Sequence, residues 1–363
     1  MGVVFCWEGS FGTRTNCCNA LQYRREMNVR RLRHTAKRGR EMAKLRESPL
    51  YGRGELPIDF TPMTWENVIV GEEMGPVDYD IKVSSHLKHA DIIQVHHPWF
   101  QEELHLFAPW EMMCGARVMS RWKYGRLNAG LMTALDFHFF KPAKAGQKLL
   151  GEVIVVDKYH KRGRDYVLHS TTTKDENGEK LFWTREELIL LGEHKGQVAG
   201  HSGEESRKER WQEKWEQDGE EAEASPDLPL GFVLKCQIRK PLAMAVSGSA
   251  AGGWSKDKWV DNIHSDDYAK SKGYAGGVVE AYMVWEFGLL EMLVNFFGPE
   301  KLFTTGMATT KICGPGYVGD TVVGKAKVID KIPELSGTRL VLATRVEREN
   351  GEMLNVGTIS AIT

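Results

Sequence analysis

The stretch V-V-E-A-Y-M-V-W-E-F-G-L-L-E-M-L-V-N-F-F, from Val278 to Phe297, decides the fold. Its few polar residues are Glu280, Glu286, Glu291 and Asn295, so a helix formed by this stretch is apolar around most of its circumference. A helix that is apolar nearly all round is a buried helix. Twenty residues make a helix of about five turns and roughly 30 Å. The sequence therefore predicts one long helix in the centre of a domain.

The residues ahead of this helix are titratable or small. Five titratable residues, Asp257, Asp261, His264, Asp266 and Asp267, form this group together with the amide Asn262, and the turn Gly273–Gly277 follows it. The free N–H groups and the dipole at a helix N-terminus stabilise a developing negative charge. A neighbouring His and Asp can transfer protons. This combination favours addition of water to a carbonyl-activated substrate, or its removal.

The overall composition excludes several classes of protein. The chain has 363 residues, which suits two domains, and its 48 Lys and Arg balance 49 Asp and Glu. Such a balance gives no reason to expect nucleic acid or a membrane surface as a partner. No apolar run reaches the roughly 18 uninterrupted residues that a membrane-spanning helix needs. The six cysteines show no metal-ligand spacing and no secretory signal is visible, so we expect a reduced, cytoplasmic protein.

Charge marks two segments that differ from the rest. Residues 1–50 are predicted to be a basic arm, because residues 1–48 hold eleven Arg and Lys against four Glu. Residues 192–229 are predicted to be a charged linker, because residues 201–226 hold nine acids and four bases with almost no aliphatic side chains. The folded domains are then 51–191 and 230–363.

Alternating patterns predict strands in the first domain at 77–83, 132–140, 148–159, 166–174 and 180–191. A short helix is predicted at 65–68 and a helical segment at 108–124, whereas residues 86–107 show no clear pattern. Asn177-Gly178 suits the two left-handed positions of a tight hairpin turn. The first domain is thus expected to combine a helix with an antiparallel sheet.

The second domain repeats the first at an offset of 173 residues. Glu176-Asn177-Gly178-Glu179 falls on Glu349-Asn350-Gly351-Glu352, and Asp157-Lys158 falls on Asp330-Lys331. Matched turns and strand starts at one offset indicate a duplicated fold. A strongly curved sheet can cover an apolar helix, since sheets twist and curl. We therefore predict an α+β protein with two curved antiparallel sheets, each wrapped round a long central helix.

This layout, together with one motif, resembles the MaoC-like or (R)-specific enoyl-CoA hydratase family, whose fold is the double hotdog. Asp261-Asn262-Ile263-His264-Ser265-Asp266 is similar to the family segment Asp-x-Asn-Pro-x-His-x-Asp, and the Pro, Gly-Asp-Thr and Gly punctuation of residues 315–328 continues the likeness. The resemblance covers residues 230–363 well and residues 58–191 in topology. The proline is absent, and Trp259 occupies the position of the acid five residues before the His.

The resemblance implies a hydratase or dehydratase of fatty acid metabolism that acts on an enoyl-CoA or 3-hydroxyacyl-CoA thioester. His264, Asp261 and Asn262 are the implied catalytic residues, and Asp257 or Asp266 is the alternative acid. Gly277 and Ala281 are placed to bind the thioester oxygen through their N–H groups. No cofactor is implied beyond coenzyme A as part of the substrate, and a homodimer or higher homo-oligomer is expected.

Two other functions stay open at the sequence level. Hotdog thioesterases can use a helix carboxylate, and Glu286 or Glu291 could fill that role, although acids at such positions usually face a subunit seam or solvent. A non-catalytic acyl-thioester-binding protein is the other alternative. The first copy lacks the motif and is interpreted as a degenerate half. Its His96, His97 and His105 have no carboxylate at ligand spacing, so no metal site is predicted.

Overall fold

The computed structural model describes residues 63–106, 109–113, 130–161, 163–190, 215, 219–239, 266–271 and 273–363. The predicted basic arm at 1–50 lies outside the described residues, as does most of the helical segment predicted at 108–124. None of the described helices is long and apolar enough to cross a membrane.

Strands dominate the described part of the chain. They are β1 (Glu73–Tyr79), β2 (Gly130–Phe139), β3 (Leu149–Lys161), β4 (Arg164–Asp175), β5 (Lys180–Leu190), β6 (Gln237–Arg239), β7 (Val278–Val279), β8 (Met307–Ile312), β9 (Gly316–Tyr317), β10 (Val322–Glu334), β11 (Gly337–Arg348) and β12 (Met353–Ile362). Ten of them form one sheet in the order β1-β3-β4-β5-β2-β8-β12-β11-β10-β6. The pairing of β2 with β8 is antiparallel and joins the strands of the two sequence copies into this single sheet.

The described helices are α1 (Val83–Ile93), α2 (Pro98–Gln101), α3 (Asp266–Ser271), α4 (Ala281–Phe297) and α5 (Pro299–Thr305). Helix α4 lies in the stretch that the sequence predicts as one long buried helix, and its residues from 282 to 290 are all buried. It begins three residues later than predicted, because Val278 and Val279 pair with β9. Residues 110–113 of the first copy are also helical.

Helix α4 packs directly on the sheet through two glycines. A Cβ placed on Gly324 of β10 would lie 1.7 Å from the carbonyl oxygen of Gly288 in α4, and a Cβ on Gly288 would lie 2.8 Å from the side chain of Val346 in β11. Only glycine permits this approach of backbone to backbone. We call the sheet face that contacts α4 the inner face of the second copy.

The duplication predicted at an offset of 173 residues is visible in structural detail. The register of β3 shifts at Val155–Asp157 and that of β10 shifts at Val328–Asp330, which are equivalent positions. The residue after each shifted position is a lysine, and its side chain donates to backbone carbonyls. These carbonyls belong to residues that precede the first strand of the same copy. Nζ of Lys158 makes two such bonds, at 2.6 and 2.9 Å, and Nζ of Lys331 makes one at 2.6 Å.

Several local predictions are confirmed and others are wrong. Strands β2 to β5 and the turn at Asn177-Gly178, where Gly178 has a φ of 83°, occur where the alternation predicts them. The predicted helix at 65–68 is a turn, and the strand predicted at 77–83 ends at Tyr79. Residues 86–107 contain most of α1 and all of α2. The buried face of α1 includes His86 and His89, so its apolar periodicity is weak in the sequence.

Candidate functional site

The start of α4 is fixed by the small sheet that β7 forms with β9. Val278 pairs with Tyr317, and the carbonyl of Gly277 accepts a hydrogen bond of 3.0 Å from the N–H of Val318. Glu280 is the N-cap residue with extended backbone, so the helix begins at Ala281. First-turn N–H groups of a helix have no intrahelical acceptor and are therefore available to a ligand oxygen.

Arg348 holds the loop that contains β9. Its Nε donates to Oδ2 of Asp320 at 2.7 Å, and its Nη2 donates to the carbonyl of Pro315 at 2.5 Å. The same Oδ2 of Asp320 accepts from the N–H of Tyr317 at 2.8 Å. The Pro and Asp of the family-like segment thus have a structural role here, since they fix the strand against which the residues before α4 pair.

Asp266 closes the turn ahead of α4. Its Oδ1 accepts from the N–H of Gly277 at 2.8 Å, and its Oδ2 accepts from Nζ of Lys270 at 2.8 Å. A Cβ on Gly276 would lie 3.3 Å from Oδ1, so a small residue suits this approach. The hydrogen bond from Lys270, followed by that from Gly277, lowers the pKa of Asp266. In this structure the N–H of Gly277 is directed to a carboxylate of the chain itself.

Asn355 of β12 contacts the first residue of α4. Its side chain is buried on the inner face, and Nδ2 donates to the carbonyl of Ala281 at 3.3 Å. Sequence reasoning missed this residue. The sequence did hold a signal for Asn355. Asn is depleted in strands, and the equivalent residue of the first copy, at the offset of 173, is the apolar Phe182.

Glu286 is fully buried in the middle of α4. Its Oε1 accepts from the backbone N–H of Trp110 at 2.6 Å, and its Oε2 lies 3.2 Å from Nε2 of His89. The ring of Trp110 stacks on Tyr282 at a centroid distance of 4.9 Å. Burial raises the pKa of Glu286, and the opposing effects of His89 and the Trp110 N–H are smaller.

A second buried pair lies beside the first. Nδ1 of His86 is 2.9 Å from Oε2 of Glu111, and Nε2 of His86 is 2.8 Å from the carbonyl of Phe100. The carbonyl can only accept, so Nε2 carries a proton. Burial acts to lower the pKa of His86, but the hydrogen bond and charge of Glu111 outweigh burial and raise it. A proton on Nδ1 as well makes this pair an imidazolium bound to a carboxylate.

The sequence led us to expect Glu286 and Glu291 at a subunit seam or facing solvent, and in the structure Glu286 is buried and Glu291 is half-buried. Glu286 contacts the first copy through His89 and Trp110. Glu291 forms an ion pair with Arg239. Oε1 of Glu291 also accepts a hydrogen bond of 3.3 Å from the backbone N–H of His96 in the first copy. The seam that these acids occupy is the one between the two copies of a single chain.

The first-copy histidines have structural contacts. Nδ1 of His97 accepts from the N–H of Trp99 at 3.1 Å, and His105 stacks on Trp99 at 3.6 Å. Within the described ranges no group of three or more His, Cys, Asp or Glu residues is arranged to hold a metal ion.

The predicted catalytic residues His264, Asp261 and Asn262 lie outside the described residues, as does the alternative acid Asp257. Their roles stay predictions. Of the predicted site residues, the structure brings Asp266 and Gly277 together and places Ala281 at the start of α4.

Comparison with known proteins identifies the fold. No known family profile matches the sequence, and no curated protein matches it. Among solved structures, a MaoC-like dehydratase superposes with a TM-score of 0.63 at 15% identity, covering 81% of this chain and 98% of its own. A Mycobacterium tuberculosis protein with a double hotdog fold gives 0.53 at 12% identity, covering 83% of this chain and 98% of its own.

A third similar structure, the peroxisomal multifunctional enzyme type 2 of Drosophila melanogaster, gives a TM-score of 0.53 at 14% identity, with 80% of this chain and 48% of that chain covered. The protein therefore has a double hotdog fold. Its structural neighbours include MaoC-like dehydratases, at low sequence identity.

Proposed function

We propose that the protein is a hydratase or dehydratase that adds water to an enoyl-CoA thioester, or removes it from a 3-hydroxyacyl-CoA thioester. The position of Asp266 carries this proposal. Its carboxylate bonds Gly277, four residues ahead of α4. His264 precedes Asp266 by two residues in the sequence, and two residues of chain span at most about 7 Å. In this proposal the motif histidine is accordingly placed near the turn that leads into α4.

In the proposed reaction, His264 and Asp261 share one water molecule, with Asp257 as the alternative acid. One group removes a proton from the water as its oxygen bonds to the β-carbon, and the other delivers a proton to the α-carbon. The electrons of the carbon–carbon double bond pass through the thioester oxygen in the transition state and return to form the α-carbon–hydrogen bond. Asn262 orients the imidazole. Dehydration is the same sequence reversed.

Negative charge on the thioester oxygen needs hydrogen-bond donors that are already in place. The first turn of α4 supplies N–H groups and the positive end of the helix dipole. Because the N–H of Gly277 is bonded to Asp266, the geometry favours Ala281 over Gly277 as the donor. The pairing of β7 with β9 and the Asn355 bond to Ala281 stabilise this turn from two sides.

We further propose that each half of the sheet wraps round a helix of its own, α4 in the second copy and a helix that begins at residues 110–113 in the first. The hotdog neighbours support this arrangement. A cytoplasmic homodimer or higher oligomer belongs to the same proposal, and light scattering of the purified protein tests the oligomeric state.

Incubation with crotonyl-CoA tests the activity. We expect the absorbance of the conjugated thioester to disappear without release of free thiol, and we expect His264→Ala to abolish this change. Asp261→Asn and Asp257→Asn, assayed side by side, identify the acid. An unchanged rate in His264→Ala would remove His264 from the mechanism.

The same assay separates the two other functions. A thioesterase would release thiol, and it would need a helix carboxylate that can reach the thioester. Glu286 is fully buried with both oxygens engaged, which disfavours that role. A non-catalytic binding protein would retain crotonyl-CoA with its absorbance unchanged.

A further inference from the structure

The side chain of Asn355 carries a buried acceptor for which the described residues supply no donor. Asn355 is only 1% exposed, and its Oδ1 has no hydrogen-bond partner among the described residues. Burying an amide oxygen without a donor costs free energy, and such atoms are rare in folded proteins. The location of this atom therefore needs an explanation.

Packing does not explain the amide. The cross-strand neighbours of Asn355 are Val346 in β11 and Ile312 in β8, and the equivalent residue of the first copy is Phe182. A hydrocarbon side chain would fill the same place without an unpaired oxygen. Thr310 on the same face differs from Asn355, because its hydroxyl donates to the carbonyl of Val356 at 3.3 Å.

The orientation of the amide follows from its one bond. The carbonyl of Ala281 can only accept, so the nitrogen of Asn355 must face it. Oδ1 is bonded to the same carbon as Nδ2 and thus also lies beside the first turn of α4. Ala281 itself is only half-buried, so solvent reaches the start of the helix. The first-turn N–H groups, which can donate to an oxygen, and Oδ1 of Asn355, which can accept a proton in a hydrogen bond, are consequently neighbours at this end of α4.

A β-hydroxy thioester matches this pair of groups. Its carbonyl oxygen accepts from the helix N-terminus, and its hydroxyl group, two carbons away, has a proton to donate. We infer that Oδ1 of Asn355 accepts a hydrogen bond from the hydroxyl group of a 3-hydroxyacyl thioester, and in the hydration direction from the water that becomes this hydroxyl. This inference rests on the proposed function.

In hydration, one of the two protons of the attacking water remains available for a hydrogen bond to Oδ1 of Asn355. An attacking water gives one proton to the base, and its second proton stays on the oxygen that becomes the hydroxyl. An amide oxygen can hold this second proton in a hydrogen bond without removing it, because an amide is not a base near neutral pH. Asn355 is thus a specificity-determining and positioning residue, and it transfers no proton.

Equilibrium binding tests the inference without relying on turnover. The ligands are 3-hydroxybutyryl-CoA and butyryl-CoA, which differ at the β-carbon only by the hydroxyl group, and calorimetry measures both on the full-length protein carrying His264→Ala. We expect the hydroxylated thioester to bind roughly tenfold more tightly. In the added presence of Asn355→Leu the two thioesters should bind with equal affinity, because loss of the Ala281 bond affects both ligands alike and only the hydroxylated one loses the Oδ1 acceptor. Thr310→Val, which removes a paired polar group from the same face, should keep the preference.

Each other outcome has a distinct meaning. Equal binding of the two thioesters by the parent protein, or a preference that survives Asn355→Leu, would overturn the inference and leave the proposed function untouched. Binding of neither thioester would overturn the proposed function and the inference with it. Thermal unfolding checks that the Leu variant is folded, and Asn355→Val provides a smaller replacement. Failure of both variants to fold would assign the amide to holding the helix and would overturn the inference.

Discussion

Nε2 of His89 in α1 lies 3.2 Å from Oε2 of Glu286 in α4, and both side chains are buried. His89 belongs to the first copy and Glu286 to the long buried helix of the second. The backbone N–H of Trp110 donates to the other oxygen of the same carboxylate. A single buried acid thus joins two segments of the first copy to the helix on which the proposed site depends.

We predict that Glu286→Ala lowers the free energy of unfolding by about 3–5 kcal/mol, because His89 and the Trp110 N–H lose a buried acceptor. Glu286→Gln keeps an oxygen for the Trp110 N–H and should cost about 1–2 kcal/mol. Urea denaturation measures both, with Glu300→Gln at an exposed position of α5 as the control. Equal losses in the Ala and Gln variants would show that the Trp110 bond is not important.

The His86 pair predicts a dependence of stability on pH. Glu111 raises the pKa of His86 above its ordinary value of 6.5, so the folded state binds this proton more tightly than the unfolded state does. The resulting stabilisation is fully present below the unfolded pKa and is lost as the pH rises through the folded pKa. Nearby His105 has its own pKa lowered, mainly by burial, and so tends to stay neutral.

Denaturation of the wild type and of His86→Gln at several pH values tests this prediction. The difference in unfolding free energy between the two proteins should shrink as the pH is raised from about 6 to about 9. A constant difference over this range would mean that His86 does not change its charge there.

The sequence allowed the elements with strong local patterns to be predicted. The continuous apolar run from Val278 predicted α4, and alternation with Asn177-Gly178 predicted β4, β5 and their turn. It did not reveal α1, because two residues of its buried face are histidines whose partners are distant in the chain. His89 and Glu286 are 197 residues apart, so no local pattern links them. Asn355 and Ala281 are 74 residues apart, so the unusual strand asparagine was visible in the sequence but its contact was not.

Gly324 offers a test of how closely α4 lies on the sheet. A Cβ at this position would lie 1.7 Å from the carbonyl oxygen of Gly288, so helix and strand would have to separate. We predict that Gly324→Ala lowers the free energy of unfolding by about 3 kcal/mol or more. Gly314→Ala is the matched control, since its Cβ would lie 3.4 Å from the nearest atom, an ordinary contact. Similar melting temperatures for the two variants would contradict this packing.

Asp266 could act as a proton-transferring acid or as a structural hydrogen-bond acceptor, and two substitutions distinguish these roles. If its function is to hold the N–H of Gly277, Asp266→Asn should keep crotonyl-CoA hydration within about threefold of wild type, because an amide oxygen accepts the same bond. Asp266→Ala should lower kcat at least about tenfold, since the turn before α4 loses its anchor and the reacting groups lose their alignment. Initial rates at saturating substrate measure both variants, and Lys270→Met controls for the exposed ion pair. An Asn variant as inactive as His264→Ala would assign proton transfer to Asp266, and Asp261 and Asp257 would lose that role.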